Sequence, residues 1–153
     1  MTCSGYLSCG RWVMLCLAAL TLSFSSGYAQ QRNDVDFQAS AAGQITFVMP
    51  SQNVECVYTP QGGTAIYKPV DDGPELSCDR RDPKYIRVTL TPRSLKRFDD
   101  VGDQGCCGAD NPLRYGARWS KGPFVCESAE TGLTCKRNDG RGFVISRERM
   151  DIF

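Results

Sequence analysis

The sequence predicts an all-β fold, a small disulfide-stabilised sandwich or barrel of short antiparallel strands. The stretch from Phe124 to Arg147 is the clearest sign. It holds three β-patterned segments, Phe124-Val125-Cys126-Glu127-Ser128, Gly132-Leu133-Thr134-Cys135-Lys136 and Gly142-Phe143-Val144-Ile145-Ser146, separated by turn formers such as Asn138-Asp139-Gly140. The second sign is the placement of cysteine. Leu76 and Cys78 share a strand face, as do Phe124 and Cys126, and Leu133 and Cys135. Their sulfurs therefore belong in the core, where half-cystines pack as apolar groups. The third is an internal echo: Leu76-Ser77-Cys78-Asp79-Arg80-Arg81-Asp82 matches Leu133-Thr134-Cys135-Lys136-Arg137-Asn138-Asp139 at Leu, Cys, Arg and Asp.

The beginning of the chain predicts export. Arg11 precedes an apolar run from Trp12 to Leu22, and Gly27-Tyr28-Ala29 places small residues at the −3 and −1 positions of a cleavage site. That run is about half the ~20 residues of a spanning helix, so residues 1–29 read as a signal peptide and the mature chain as free of stable membrane insertion. Cysteines 3, 9 and 16 leave with it. Six remain, Cys56, Cys78, Cys106, Cys107, Cys126 and Cys135, an even set suited to an oxidising compartment, the periplasm or outside the cell. Loss of Arg11 leaves 17 Lys and Arg against 17 Asp and Glu, so no net charge draws the mature chain to nucleic acid or an anionic surface. The chain has no histidine, which removes the usual general base and the commonest metal ligand.

Residues 30–44 are polar and aperiodic, a flexible lead-in, and residues 45–153 form the single disulfide-bonded β domain. Order begins at Ile45-Thr46-Phe47-Val48-Met49. Val54, Cys56 and Tyr58 share one face of the next strand, and Gln61-Gly62-Gly63 turns the chain. Ala65 to Tyr67 reads as a short strand. Tyr85 to Leu90 is the best strand of the middle, with Ile86, Val88 and Leu90 inward. Ser94 to Phe98 reads as one helical turn, Gly102 to Asn111 as loop, and Arg147 to Met150 as a short capped helix.

Several motifs together resemble a known family. Phe47-Val48-Met49-Pro50-Ser51-Gln52-Asn53-Val54-Glu55-Cys56 is similar to its F-x-x-P-S-x-N-[IV]-x-C opening, and Leu113-Arg114-Tyr115-Gly116 to its L-x-Y-G. Cys126-Glu127-Ser128, Gly132-Leu133-Thr134-Cys135 and Gly140-Arg141-Gly142-Phe143-Val144-Ile145-Ser146-Arg147 resemble its closing C-x-S…G-[LV]-T-C…G-x-G-F-x-[IL]-S-R. The family comprises small exported bacterial domains of unknown function. The resemblance spans Phe47 to Phe153 and implies export and the disulfide set, with no activity. The chain departs from the pattern at Arg141, where the family usually has His. It also departs at Cys106, which stands next to Cys107 where the family has a cysteine much further upstream.

The candidate chemistry is sparse. Adjacent Cys106 and Cys107 close only a small strained ring, and strained disulfides are the readily reduced ones; inert loop cysteines are the plainer reading. Zinc needs four ligands, and without histidine no metal or other cofactor is expected. Asp71-Asp72, Asp99-Asp100 and Asp103 are candidates for carboxylate acid–base work, but each sits among turn residues, where Asp belongs anyway. Arg80-Arg81, Lys136-Arg137 and Arg141 read as solvated loop tips. Arg114, Tyr115, Arg118 and Trp119 are the candidate binding residues, because large planar side chains dominate binding surfaces. The alternative for Tyr115 and Trp119 is core filling. Pairing cysteines on apolar-sharing faces of neighbouring strands predicts Cys56–Cys78 and Cys126–Cys135, with Cys106 and Cys107 a vicinal pair or free thiols.

The sequence thus predicts a non-enzymatic binding module for a protein or an envelope glycan. A structural cell-envelope protein, or a carboxylate-based hydrolase, is the alternative. N-terminal sequencing of exported protein should begin at Gln30; a chain that keeps Met1 in the membrane fraction would make the apolar run an anchor.

Overall fold

The computed structural model describes residues 33–153; the expected signal peptide and its cleavage point lie outside them. Among the described residues every regular element is a strand, and no helix is long and apolar enough to cross a membrane. Two antiparallel meanders follow one another along the chain. The first runs β2 (Ile45–Val48), β3 (Val54–Thr59), β4 (Glu75–Arg80), β5 (Ile86–Leu90) and β6 (Leu95–Phe98). The second runs β7 (Ala117–Lys121), β8 (Phe124–Ala129), β9 (Gly132–Arg137), β10 (Gly142–Ile145) and β11 (Met150–Ile152). A short strand β1 (Asn33–Val35) joins the second sheet by pairing in parallel with β7.

The sheets pack as a sandwich because alternate residues along each strand are apolar and buried. Phe47, Cys56, Leu76, Cys78, Ile86, Val88 and Leu90 from the first sheet are all fully buried, as are Trp119, Phe124, Cys126, Leu133, Cys135, Phe143 and Ile145 from the second. Phe47 and Trp119 meet across the core with ring centroids 4.9 Å apart, and Tyr58 packs edge-on against Trp119 at 5.9 Å. Both core disulfides form as expected, each between directly opposite residues of neighbouring strands, Cys56 with Cys78 and Cys126 with Cys135. Cys106 is joined to Cys107.

The two meanders are copies of one design. Each carries its disulfide between its second and third strands. Phe47 lies opposite Cys56 as Trp119 lies opposite Cys126, and Leu76 lies opposite Leu90 as Leu133 lies opposite Ile145. The echo seen in the sequence is therefore the third strand of each copy. Its arginines act reciprocally: Arg80 Nη1 donates to the Ser146 carbonyl at 3.0 Å, and Arg137 Nη1 donates to the Thr91 carbonyl at 2.8 Å. Thr91 and Ser146 hold matching positions, just after Leu90 and Ile145. Each hydroxyl accepts from the backbone amides two and three residues on, the local turn that Ser and Thr favour.

The segments leading into the two meanders are exchanged. β1 leads into the first but pairs with β7 of the second. Residues Asn111 to Leu113 lead into the second but bond to β2 of the first, through Val48 N to the Asn111 carbonyl and Leu113 N to the Val48 carbonyl, both at 2.9 Å.

Several expectations are corrected. The stretch assigned as a flexible lead-in supplies β1 and stacks Phe37 on Phe47 at 5.9 Å, because the parallel partner it needs lies far along the chain. Residues 95–98 are strand β6 rather than a helical turn, since the Thr91 turn folds them back onto β5. The expected capped helix after Ser146 is the equivalent turn into β11. Ala65 to Tyr67 is irregular rather than a strand. Arg80 and Arg137 are buried rather than solvated, whereas Arg81, Lys136 and Arg141 are exposed.

A buried guanidinium cross-link contributes more than an exposed one, because its removal strands a desolvated carbonyl. Arg137→Ala is expected to cost about 2–3 kcal/mol in chemical denaturation, and Arg141→Ala less than about 0.5 kcal/mol. Equal, small effects would show that the cross-links are idle.

Candidate functional site

The segment expected to bind is divided by the pleat. Consecutive residues of a strand point to opposite faces, so β7 sends Trp119 inward and Arg118 outward. Trp119 is fully buried and belongs to the core rather than to a contact surface. Arg118 lies on the outer face of the second sheet, where Nη1 donates to Asp34 Oδ1 at 2.9 Å and Nε stands 3.9 Å from Glu127. Arg114 and Tyr115 sit in the turn before β7. Arg114 is exposed, and Tyr115 is 41% exposed at the edge of a small hollow with Met49, Glu130 and Arg147. Trp119 therefore shares no surface with the other three.

Among the described residues a more extensive concave surface lies elsewhere, on the outer face of the first meander. Outward positions there are mostly polar, Glu55 on β3, Ser77 and Asp79 on β4, Arg87 and Thr89 on β5, with Val57 on β3 the apolar member. Glu55 stands directly opposite Asp79, and like charges in that relation are unfavourable. Each carboxylate is supplied with its own donors. Glu55 Oε2 accepts from the Gly108 and Ala109 amides at 2.6 and 2.8 Å. Asp79 accepts from Arg87 Nε and Nη2 at 2.6 and 2.7 Å and from the Tyr85 hydroxyl at 2.6 Å. The Asp79 hydrogen bond holds Arg87 firmly protonated. Burial, then the bond to Asp79, raises the Tyr85 phenol above its ordinary range.

Two loops wall this floor. Residues 60–74 fold back so that the Tyr67 hydroxyl donates to Glu75 at 2.6 Å. Thr64 secures the return, accepting from the Tyr67 amide at 3.1 Å while its own amide donates to the Tyr67 carbonyl at 2.7 Å. Gly63, at φ +78°, allows it, since a Cβ there would run into that carbonyl oxygen. Burial and the Glu75 carboxylate push the Tyr67 phenol up to about 12. Residues 99–110 form the other wall, anchored on Glu55 and by Arg87 Nη2 donating to the Asp103 carbonyl at 3.0 Å.

Between the walls lie three hollows of about 190, 250 and 270 Å³, all bordered by Tyr67 and Thr89. Each falls below the ~300 Å³ lower end of small-molecule pockets, but Tyr67 and Thr89 join them as neighbouring parts of one shallow groove, with Phe98 bordering the two larger. Three large apolar residues border it in contact with solvent, Val70 at 91% exposure and half-exposed Tyr67 and Phe98, and Ile66, 88% exposed, precedes Tyr67 in the chain.

Of the acidic residues singled out in the sequence, Asp100 and Asp103 border the groove and Asp71 accepts from the Thr91 hydroxyl. Asp99 accepts from Arg97 at 2.6 Å, which holds its carboxyl below the usual range. The sulfurs of Cys56, Cys78 and Cys135 lie within 4.8 Å of one another, a spacing suited to a metal, but each is spent in a disulfide rather than available as a thiolate. Sequence reading missed Tyr67, Phe98, Asp79 and Arg87. The available signal was Ile66, Tyr67 and Val70, large apolar residues within a stretch bounded by Gly62-Gly63 and Asp71-Asp72-Gly73.

Trp119→Ala is expected to cost ~3–5 kcal/mol, enough to unfold a small domain, whereas Arg118→Ala should change stability by at most about 1 kcal/mol. Thermal melts of the two variants check this; a Trp119→Ala protein that melts like the parent would return Trp119 to the surface.

No protein-family model, no curated protein and no solved structure matches the chain.

Proposed function

We propose that this is an exported bacterial domain, periplasmic or secreted, that performs no chemistry and binds a protein or an envelope glycan through the groove on the outer face of its first meander. One observation carries the reading: Tyr67, Val70 and Phe98 stand exposed around one hollow of a groove whose floor is mostly polar. Exposed large apolar residues gathered at a concave surface mark interaction sites. The floor is rigid, because β3 and β4 are joined by the Cys56–Cys78 disulfide, so little side-chain or loop ordering opposes binding. The motif resemblance to small exported domains supports the compartment, and three disulfides suit it.

The hydrolase alternative is served less well. A carboxylate pair does face outward at Glu55 and Asp79, but three strong donors engage Asp79 and two backbone amides engage Glu55. A purely structural envelope role would leave the apolar rim without a purpose.

The test is a pull-down from envelope extract with the parent and a Val70→Asp variant. Val70 is 91% exposed, so the variant should keep its melting temperature and lose the specific partner, protein or glycan. Undiminished binding would exclude the groove rim, absence of any discrete partner would favour the structural role, and turnover of a captured glycan would favour the hydrolase.

A further inference from the structure

The three disulfides occupy two different environments. All four cysteines of Cys56–Cys78 and Cys126–Cys135 are fully buried between the sheets. Cys106 and Cys107 are partly exposed, in a loop without strand ladders. Thiol–disulfide exchange requires a thiolate to reach a sulfur, so an incoming thiol meets the vicinal pair first.

The vicinal pair also sits at the point where its loop is fastened. The Cys106 amide donates to the Tyr85 hydroxyl at 3.0 Å, and Gly108 and Ala109 donate to Glu55. Tyr85 in turn donates to Asp79, which holds Arg87, and Arg87 donates to the Asp103 carbonyl. The covalent ring therefore spans the backbone between two anchoring donors, Cys106 N and Gly108 N. The same loop supplies Val101, Gly102 and Asp103 to the groove beside Tyr67 and Phe98.

We propose that Cys106–Cys107 is a thiol-exchange site, reacting with an exported dithiol, whose oxidation state sets the position of the groove's second wall. One thiolate of the dithiol attacks a sulfur of the pair, forming a mixed disulfide and releasing the other cysteine as a thiolate that takes up a proton. The second thiol of the donor, on losing its proton, then attacks the donor sulfur of that mixed disulfide. The donor leaves as a disulfide, and Cys106 and Cys107 remain as two thiols, two electrons having passed to the protein. With the ring open, the constraint between the two anchoring amides is gone, and the bonds to Tyr85 and Glu55 must hold the loop without it. The consequence for ligand binding rests on the function proposed above; the exchange site itself does not.

The experiment treats the oxidised protein with graded dithiothreitol, alkylates free thiols, maps the peptides, and follows amide hydrogen exchange. Cys106 and Cys107 should be alkylated while Cys56–Cys78 and Cys126–Cys135 remain intact. At that step the amides of Cys106, Gly108 and Ala109 should exchange about tenfold faster or more, with β3 to β5 unchanged. A Cys106→Ser/Cys107→Ser variant should show the same faster exchange without reductant. The proposal fails if the untreated protein has these cysteines free or bonded to others. It also fails if all three disulfides open together, or if selective reduction leaves the loop amides unchanged. No ligand enters these measurements, so failure here leaves the binding surface standing, and failure of that surface leaves this site standing.

Discussion

The sulfurs of Cys56, Cys78 and Cys135 gather within 4.8 Å, so the two core disulfides meet between the sheets. Each lies between the second and third strands of its meander, the same place in both copies. Their register forces what surrounds them. With Cys56 opposite Cys78, alternation brings Tyr58, Leu76, Val88 and Leu90 to the inner face, and the second meander repeats the pattern with Leu133, Phe143 and Ile145. A slip of one residue would turn both the sulfurs and the apolar set outward. Covalent bond and hydrophobic pattern thus specify one register.

The two copies are tied together by more than the core. Arg80 and Arg137 reach reciprocally into the turns of the opposite sheet, and the leading segments of the meanders are exchanged. Phe47 and Trp119, matching residues of the two copies, pack against each other at the centre with their rings tilted. Neither meander completes its own edge or satisfies its own turn carbonyl, so each depends on the other for groups that would otherwise lack partners.

The copies differ in their connections. Both have a disulfide-pinned sheet, but only the first carries long irregular connections, residues 60–74 and 99–110, that return across its outer face. In the second meander β8 and β9 are joined through a tight turn. A rigid sheet with loops fastened over it by Glu55, Glu75 and Arg87 is a stable frame for a contact surface, and loops on such frames commonly carry recognition. The loop wall that contains Cys106 and Cys107 is the one part of that frame joined by a bond that solvent thiols reach.

By itself the sequence determined the all-β class, the pairing of four cysteines and the inward residues of the main strands, because these follow from local alternation and from cysteines sharing a face with apolar neighbours. It also displayed the repeat through Leu76 to Asp82 and Leu133 to Asp139. The burial of Arg80 and Arg137, the recruitment of β1 and the strand character of residues 95–98 were decided only by tertiary structure, since each depends on a partner in another turn or strand. The same holds for the site. Arg118 and Trp119 are neighbours in sequence but face opposite sides of a strand, whereas Tyr67 is distant along the chain from the β5–β6 hairpin of Thr89 and Phe98 and meets it only when loop 60–74 folds over it. Periodicity reports which way a residue faces, and only the folded chain brings distant faces together.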